Sequence, residues 1–275
     1  MIEIEATGPL TSVQDLGRPG WAAIGVPRSG AFDRDAAALA NRLVGNGVDA
    51  ALLEVTLGGL AVRVLDAATV AMTGAACPGL DVNAAVSLRA GATVRLGLPA
   101  DGARSYLAVR GGLMVDPVLG SCSSDLLSGL GPPPLRPGDR LDVGPPPATA
   151  PASDAAPPRR PRTAVRLMPG PRIDWLADGA LDVLVRTEWT VRSESNRIGV
   201  RLDGPDLKPA RTGELPSEPA LPGAVQVPAD GRPIVFGPDG PVTGGYPVIA
   251  VALSSDLGVL AQQRPGDRVR FDLIR

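Results

Sequence analysis

Short runs in which apolar and polar positions alternate recur along the whole chain. They lie at 2–5, 61–65, 94–98, 106–109, 165–168, 183–189 and 269–274. A period of two puts one face of each run on a core and predicts β-strands. The segment 225–236 predicts a hairpin, with Asp230 and Gly231 at its turn. Helical periodicity is scarcer. Asp33 is placed to cap a helix over 34–44, with Leu39, Ala40, Leu43 and Val44 on one face and an end at Gly45–Gly47. Ser254 or Ser255 is placed to cap a second helix through residue 263, stopped by Pro265. One short turn is expected near 173–178.

One stretch carries no period at all. Residues 145–162 hold seven prolines and five alanines in 18 positions, a composition that suits an extended, exposed linker. It divides an N-terminal β-rich domain (1–144) from a C-terminal β-barrel domain (163–275). The sequence RPGD recurs at 136–139 and 264–267, each time before an arginine and an alternating run. Such a Pro-Gly turn occurs in many β proteins. Its place at the end of each half favours two β-rich domains.

Composition narrows the chemistry. The 275 residues include 34 glycines and 30 prolines but no histidine, and Lys208 is the single lysine beside 26 arginines. Imidazole-based triads and His-ligated zinc are excluded, and so is a Walker phosphate loop, since Lys208 is followed by Pro209. A net charge of −2 gives no general attraction to nucleic acid or an anionic membrane. No apolar run is long enough for a membrane helix and the N-terminus does not read as a signal peptide, so the expected location is cytoplasmic. Cys77 and Cys122 read as a reduced pair, with a disulfide between them as the alternative.

Several non-periodic segments could carry chemistry. Residues 11–20 bring Gln14, Asp15 and Arg18 together beside glycines, followed closely by Ser29 and Asp33. Arg18 suits a forked contact to a carboxylate or phosphate, or a structural pair with Asp15. Asp15 or Asp33 could orient water or hold magnesium. Arg110, Gly111 and Gly112 follow a strand, and the glycine amides read as a possible anion nest or as a bulge. Ser121 and Ser123 flank Cys122 in a polar loop that suits ligand binding or capping. Without histidine, Cys122 has no activating base and is not read as catalytic. Arg197 and Arg201 face a ligand or make surface pairs. Residues 243–247 set Thr243, Gly244, Gly245 and Tyr246 in a flexible loop able to present amides, a hydroxyl and a phenol, or to turn tightly between sheets.

Taken in order, eleven segments form a recognisable series: QDLGRPG (14–20), SGAFD (29–33), ANRLVGN (40–46), LEVTLGG (53–59), MTGA (72–75), YLAVRGG (106–112), LGSCSS (119–124), NRIGVRL (196–202), PGAVQVP (222–228, with Gln226), TGGYP (243–247) and LAQQRPGD (260–267). The series resembles the family of the 5-oxoprolinase C subunit, also called allophanate hydrolase subunit 2 or biotin-dependent carboxyltransferase family proteins, and part of urea carboxylase. Three positions depart from the family pattern. Cys122 stands in place of a basic residue, Pro132-Pro133 in place of G-R, and Pro241 in place of glutamine.

The resemblance implies a mainly β fold with two tandem β-barrel-like domains of the cyclophilin-like type and a few short helices. It implies an enzyme component, inactive alone, that works with two further components in the ATP-dependent hydrolysis of 5-oxo-L-proline to L-glutamate. These are a kinase-inhibitor-like B component and an A component. ATP, with magnesium, would then sit in a site shared with those partners. Asp15, Arg18, Asp33 and Tyr246 would be catalytic. Gln14, Ser29, Arg110, Gly111, Gly112, Ser121, Ser123, Arg197, Arg201, Gln226, Thr243, Gly244 and Gly245 would bind substrate or nucleotide, and no metal is held by this chain alone. The alternatives are a carboxyltransferase component of a biotin-dependent urea or allophanate system, with biotin on another chain, and a non-catalytic regulator of a kinase-inhibitor-like partner.

Overall fold

The computed structural model describes residues 1–157, 164–211, 213 and 215–274. The chain forms two compact units. Unit 1 comprises Met1–Arg18, Ser29–Asp125 and Gly129–Arg160; unit 2 comprises Pro19–Arg28, Leu126–Ser128 and Pro161–Arg275. Residues 158–162 of the expected linker lie outside the described residues. No helix among the described residues is long and apolar enough to cross a membrane.

Unit 1 contains strands β1 (Ile2–Thr7), β2 (Leu10–Gln14), β3 (Leu52–Thr56), β4 (Leu60–Val64), β5 (Ala68–Gly74), β6 (Ala85–Leu88), β7 (Thr93–Arg95), β8 (Arg104–Val109), β9 (Leu113–Met114) and β10 (Arg140–Val143), with helix α1 (Arg34–Leu43). They form two five-stranded sheets, in the orders β7-β4-β1-β10-β9 and β2-β3-β8-β5-β6. Alternation explains the core. Ile2, Ile4, Val62 and Val64 from the first sheet meet Val13, Leu53, Val55, Val70, Met72 and Leu107 from the second. The second sheet's other face carries Leu52, Ala71, Tyr106 and Ala108, which α1 covers with Ala37, Ala40 and Leu43. The Asp33 carboxylate caps α1 by accepting from the Ala36 amide (3.1 Å).

Unit 2 contains β11 (Val165–Pro169), β12 (Trp189–Val191), β13 (Gly199–Asp203), β14 (Glu218–Pro219), β15 (Ala224–Gln226), β16 (Ile234–Phe236), β17 (Thr243–Gly244), β18 (Val248–Ala252), β19 (Arg268–Val269) and β20 (Phe271–Leu273), with helices α2 (Ala180–Arg186) and α3 (Leu257–Ala261). Eight of the strands join in the order β19-β12-β13-β16-β15-β18-β11-β20, and β14 pairs with β17 in a separate ribbon. The two edge strands of the large sheet, β19 and β20, are separated in the chain by Arg270 alone. The sheet therefore curls until its edges nearly meet, a nearly closed barrel. Val200, Val235, Val225 and Ala250 lie opposite one another across four strands and are buried. The expected hairpin over 225–236 is present as β15 and β16.

The recurring RPGD is one structural device used twice. In unit 1 the Asp139 amide donates to the Arg136 carbonyl (3.1 Å), and in unit 2 the Asp267 amide donates to the Arg264 carbonyl (3.0 Å). Proline precedes a glycine at φ 96° (Gly138) or 89° (Gly266), the signature of a type II turn. Each turn is clamped to a strand by the same two backbone bonds. Gly138 donates to the Ile4 carbonyl (2.7 Å) and Ile4 to the Asp139 carbonyl (2.9 Å). Gly266 donates to the Val191 carbonyl (2.8 Å) and Val191 to the Asp267 carbonyl (2.9 Å). The outgoing strand then pairs antiparallel with the same element, β10 with β1 and β19 with β12.

Two expectations are corrected. Alternation over 183–189 predicts a strand, but α2 occupies Ala180–Arg186 and β12 begins only at Trp189. The valines of that run alternate in type, yet Ala180 and Leu184, one helical turn apart, are the residues α2 buries. The helix expected over 254–263 is a 3-10 turn (Ser254–Asp256) followed by α3, with no serine side-chain cap. Asp256 is instead captured by Arg166, whose Nε and Nη2 donate to its carboxylate at 2.8 Å each.

Replacing Gly266 with alanine forces a side chain into the left-handed region and is expected to lower stability by about 1–3 kcal/mol, read as a lower denaturant midpoint with an unchanged slope; Gly138→Ala should do the same to unit 1. The Asp256 carboxyl is held well below its ordinary range by its hydrogen bonds to Arg166. A depressed acid contributes stability above its unfolded pKa, about 3.9, and loses it as pH falls. Asp256→Asn is therefore expected to flatten the decline in stability on acidification below about pH 4; an unchanged acid profile would contradict this.

Candidate functional site

In unit 1 the segments 14–18, 29–33 and 121–125 come together as a buried polar knot. The Asp15 carboxylate sits at its centre, 9% exposed. Its Oδ1 accepts from the Gly17 amide (2.6 Å), the Ser121 hydroxyl (2.6 Å) and the Ser123 hydroxyl (2.5 Å), and its Oδ2 from the Cys122 amide (2.7 Å). The Asp15 amide donates back to Ser123 Oγ (3.0 Å). One carboxylate thus fixes a loop more than 100 residues away in sequence. Gln14 Nε2 adds bonds to Ser12 Oγ (3.0 Å) and the Ser124 carbonyl (3.1 Å).

Arg18 is 1% exposed and is not ion-paired with Asp15. Its Nε donates to the Val118 carbonyl (3.2 Å), Nη1 to Ser29 Oγ (2.9 Å) and Nη2 to the Ser123 carbonyl. The Ser29 hydroxyl in turn donates to Asp125 Oδ2 (2.6 Å). The guanidinium expected to grip a ligand in a fork is spent on neutral oxygens of this protein. It cross-links the loops that surround it.

Asp33, besides capping α1, has its amide held by the Tyr106 hydroxyl oxygen (2.7 Å), and the Phe32 amide donates to Glu54 Oε2 (2.9 Å). Arg104 lies 3.5 Å from Glu54 and stacks 4.7 Å over the Phe32 ring. The Tyr106 phenol is pushed well above its ordinary range by burial first and then by Glu54, so it stays protonated. Glu54, Arg104 and Tyr106 are buried polar neighbours of this segment that the sequence pattern hides, because they lie on strands that look like simple alternation. Glu54 and Arg104 place an acid and a base on paired strands.

The Gly111 amide donates to Asn46 Oδ1 (2.8 Å) and the Gly112 amide to the Val109 carbonyl (2.9 Å). The glycine pair is therefore a tight turn whose donors are used internally, not an open nest. Arg110 reaches the carbonyls of Val44 (2.8 Å), Pro147 (2.6 Å) and Thr149 (2.7 Å), holding the start of the proline-rich segment. Both cysteines are free thiols. Cys122 has its pKa raised, by burial first and then by Asp15, so it is a thiol and a poor nucleophile.

Unit 2 presents different surroundings. Arg197 and Asp239 are both fully buried and joined by two bonds of 2.8 Å, Nε to Oδ2 and Nη2 to Oδ1. Arg201, on β13, and Tyr246 are exposed and line a cavity of about 300 Å³ together with Arg192, Asp230, Arg232 and Ile234. Thr243 and Gly244 form β17, opposite Pro219 and Glu218, and Gly245 leads to Tyr246. Gln226 is 3% exposed and lies beneath Gly244, where an added Cβ would come within 2.5 Å of its Nε2. Among the described residues no cluster of three or more histidine, cysteine or carboxylate groups could hold a metal ion.

The chain matches the model of the carboxyltransferase domain, subdomain A and B, over residues 24–273. It is 40% identical over 280 residues to the C subunit of 5-oxoprolinase from Escherichia coli (strain K12), covering 98% of this chain and 90% of that protein. It is 33% identical over 301 residues to the urea amidolyase of Saccharomyces cerevisiae, covering 98% of this chain and 16% of that one. The solved urea carboxylase of Kluyveromyces lactis superposes with a TM-score of 0.91 at 30% identity, over 100% of this chain and 27% of that chain. The solved TTHA0988 superposes with a TM-score of 0.87 at 37% identity, and this chain spans 55% of its length.

Asp15→Ala would leave four donors without their acceptor. The expected loss is about 3 kcal/mol or more, with faster amide exchange at Gly17 and Cys122. A loss below about 1 kcal/mol would show that the knot does not hold unit 1 together.

Proposed function

Because the chain belongs to the carboxyltransferase domain family, subdomains A and B, we propose that it is the C component of a 5-oxoprolinase-like complex. In that complex it acts with a kinase-inhibitor-like B component and an A component in the ATP-dependent hydrolysis of 5-oxo-L-proline to L-glutamate. The observation that carries this reading is likeness. The chain is 40% identical to the bacterial C subunit over 280 residues, against 33% for the urea amidolyase and 30% for the urea carboxylase. Cytoplasmic location goes with this role.

The glycine pair at 111–112 does not offer an open cradle for nucleotide phosphates. The amides at Gly111 and Gly112 are occupied, and no metal-holding group of three is present among the described residues. ATP and magnesium are therefore assigned to surfaces completed by the partners. Within this chain, Asp15, Arg18 and Asp33 act by fixing the loops around them, while Tyr246 and the Thr243–Gly245 segment face the substrate.

The likeness to urea carboxylase at a TM-score of 0.91 favours a second reading, a carboxyltransferase component served by biotin on another chain. Lys208, the single lysine, has no flanking methionine to mark it for biotin attachment.

Co-expression of the chain with the B and A components should yield a complex that releases glutamate from 5-oxo-L-proline only when ATP is present. An intact complex without that activity would overturn the first reading, and carboxylation of urea with a biotinylated partner would establish the second. In the active complex Tyr246→Ala is expected to lower kcat/KM about tenfold to 100-fold with no change in thermal stability, since the side chain is 51% exposed.

A further inference from the structure

The outer face of the unit 2 barrel carries one row of side chains in register. Arg201 on β13 lies opposite Ile234 on β16, and Ile234 lies opposite Gln226 on β15. Arg201, Ile234 and Tyr246 all line the cavity of about 300 Å³. Three arginines line that cavity, but they are not equivalent. Arg192 is paired with Glu194 at 2.6 Å, and Arg232 is paired with Asp203. Both charges are neutralised locally. Among the described residues the Arg201 guanidinium has neither a hydrogen bond nor an ion pair; only its backbone is engaged, with Ser195 and Arg192.

The charge pattern selects a ligand class. A guanidinium with no partner among the described residues offers a planar fork that matches one carboxylate. Asp230 also lines the cavity and disfavours a multiply charged phosphate. The volume lies at the lower end of the range for small-molecule pockets and suits a small organic acid.

We infer that this cavity binds the carboxylate of a small organic acid, with Arg201 as the fork and the Tyr246 hydroxyl as a second donor. On the function proposed above, that acid is 5-oxo-L-proline, and its carboxylate is anchored here while the lactam is opened. The identity of the acid rests on that proposal; the carboxylate site rests on the cavity.

The test uses the full chain and the assembled complex. Titration calorimetry on the full chain should show binding of 5-oxo-L-proline and of L-glutamate, and none of pyrrolidin-2-one, the same lactam without a carboxylate. Arg201→Gln should weaken binding of both acids at least tenfold, and Arg201→Lys less. In the complex, Arg201→Gln should raise KM for 5-oxo-L-proline at least tenfold and leave kcat within twofold. Wild-type affinity and KM in Arg201→Gln, equal binding of pyrrolidin-2-one, or tighter binding of inorganic phosphate than of either acid would each overturn the carboxylate site. A complex that never opens 5-oxo-L-proline, on a chain that still binds small acids through Arg201, would overturn the proposed function and leave the site standing.

Discussion

Each unit of this protein depends on a turn whose left-handed position favours glycine. At Gly138 and Gly266 the backbone enters the left-handed region, and this lets the following aspartate close a type II turn onto the arginine three residues before it. The glycine amide and the aspartate carbonyl then grip both backbone groups of one residue, Ile4 in unit 1 and Val191 in unit 2. This clamp sets where β10 and β19 begin to pair, and therefore the register of each sheet's closing strand. In unit 2 it also decides that β19 and β20 fall on opposite edges of one sheet, which brings those edges together. The same four-residue sequence can do this twice because it carries its own contacts: three backbone bonds, and an aspartate carboxylate that accepts from the arginine amide (2.7 Å at Asp139, 2.8 Å at Asp267).

The arginines follow from a second constraint. A guanidinium stays charged in any protein environment, so a buried arginine must be satisfied where it lies. The chain does this in two ways. Arg197 is matched by a carboxylate with two parallel bonds. Arg18 is matched by two carbonyls and a hydroxyl, with Asp125 one hydrogen bond further out through Ser29. Lysine, a point charge, would reach fewer of these acceptors at once. A composition that at first only excluded mechanisms thus describes how non-periodic loops are fastened to two β frameworks.

Strands were legible where a core face alternates with a wetter one. In β1, Ile2 and Ile4 are buried while Glu3 and Glu5 are only partly covered, and the period of two is plain. It failed at 183–189, where β-branched residues sit on the exposed side of a helix and two small or straight apolar residues make the contact. The start of α3 was misplaced for another reason: Asp256 is claimed by Arg166, 90 residues away, and no local pattern announces a tertiary partner. The loops around Asp15 were legible as non-periodic clusters of polar residues and glycine. Their internal wiring was not, since Arg18 could equally have pointed outward, and Glu54 and Tyr106 gave no sign that they hold Phe32 and Asp33 in place.

The division of labour between the units follows from what each leaves unspent. In unit 1 the hydrogen-bonding groups of Asp15 and Arg18, and the amides of Gly111 and Gly112, are consumed by the fold, so this unit supplies rigidity rather than open donors. In unit 2, Arg201 and Tyr246 stand at a cavity with their side chains exposed, and a flexible glycine pair precedes the tyrosine. A chain without histidine has no side chain whose ordinary pKa lies near neutrality, and its arginines do not give up protons. Such a chain can orient and anchor a reactant but is poorly equipped to move protons at pH 7.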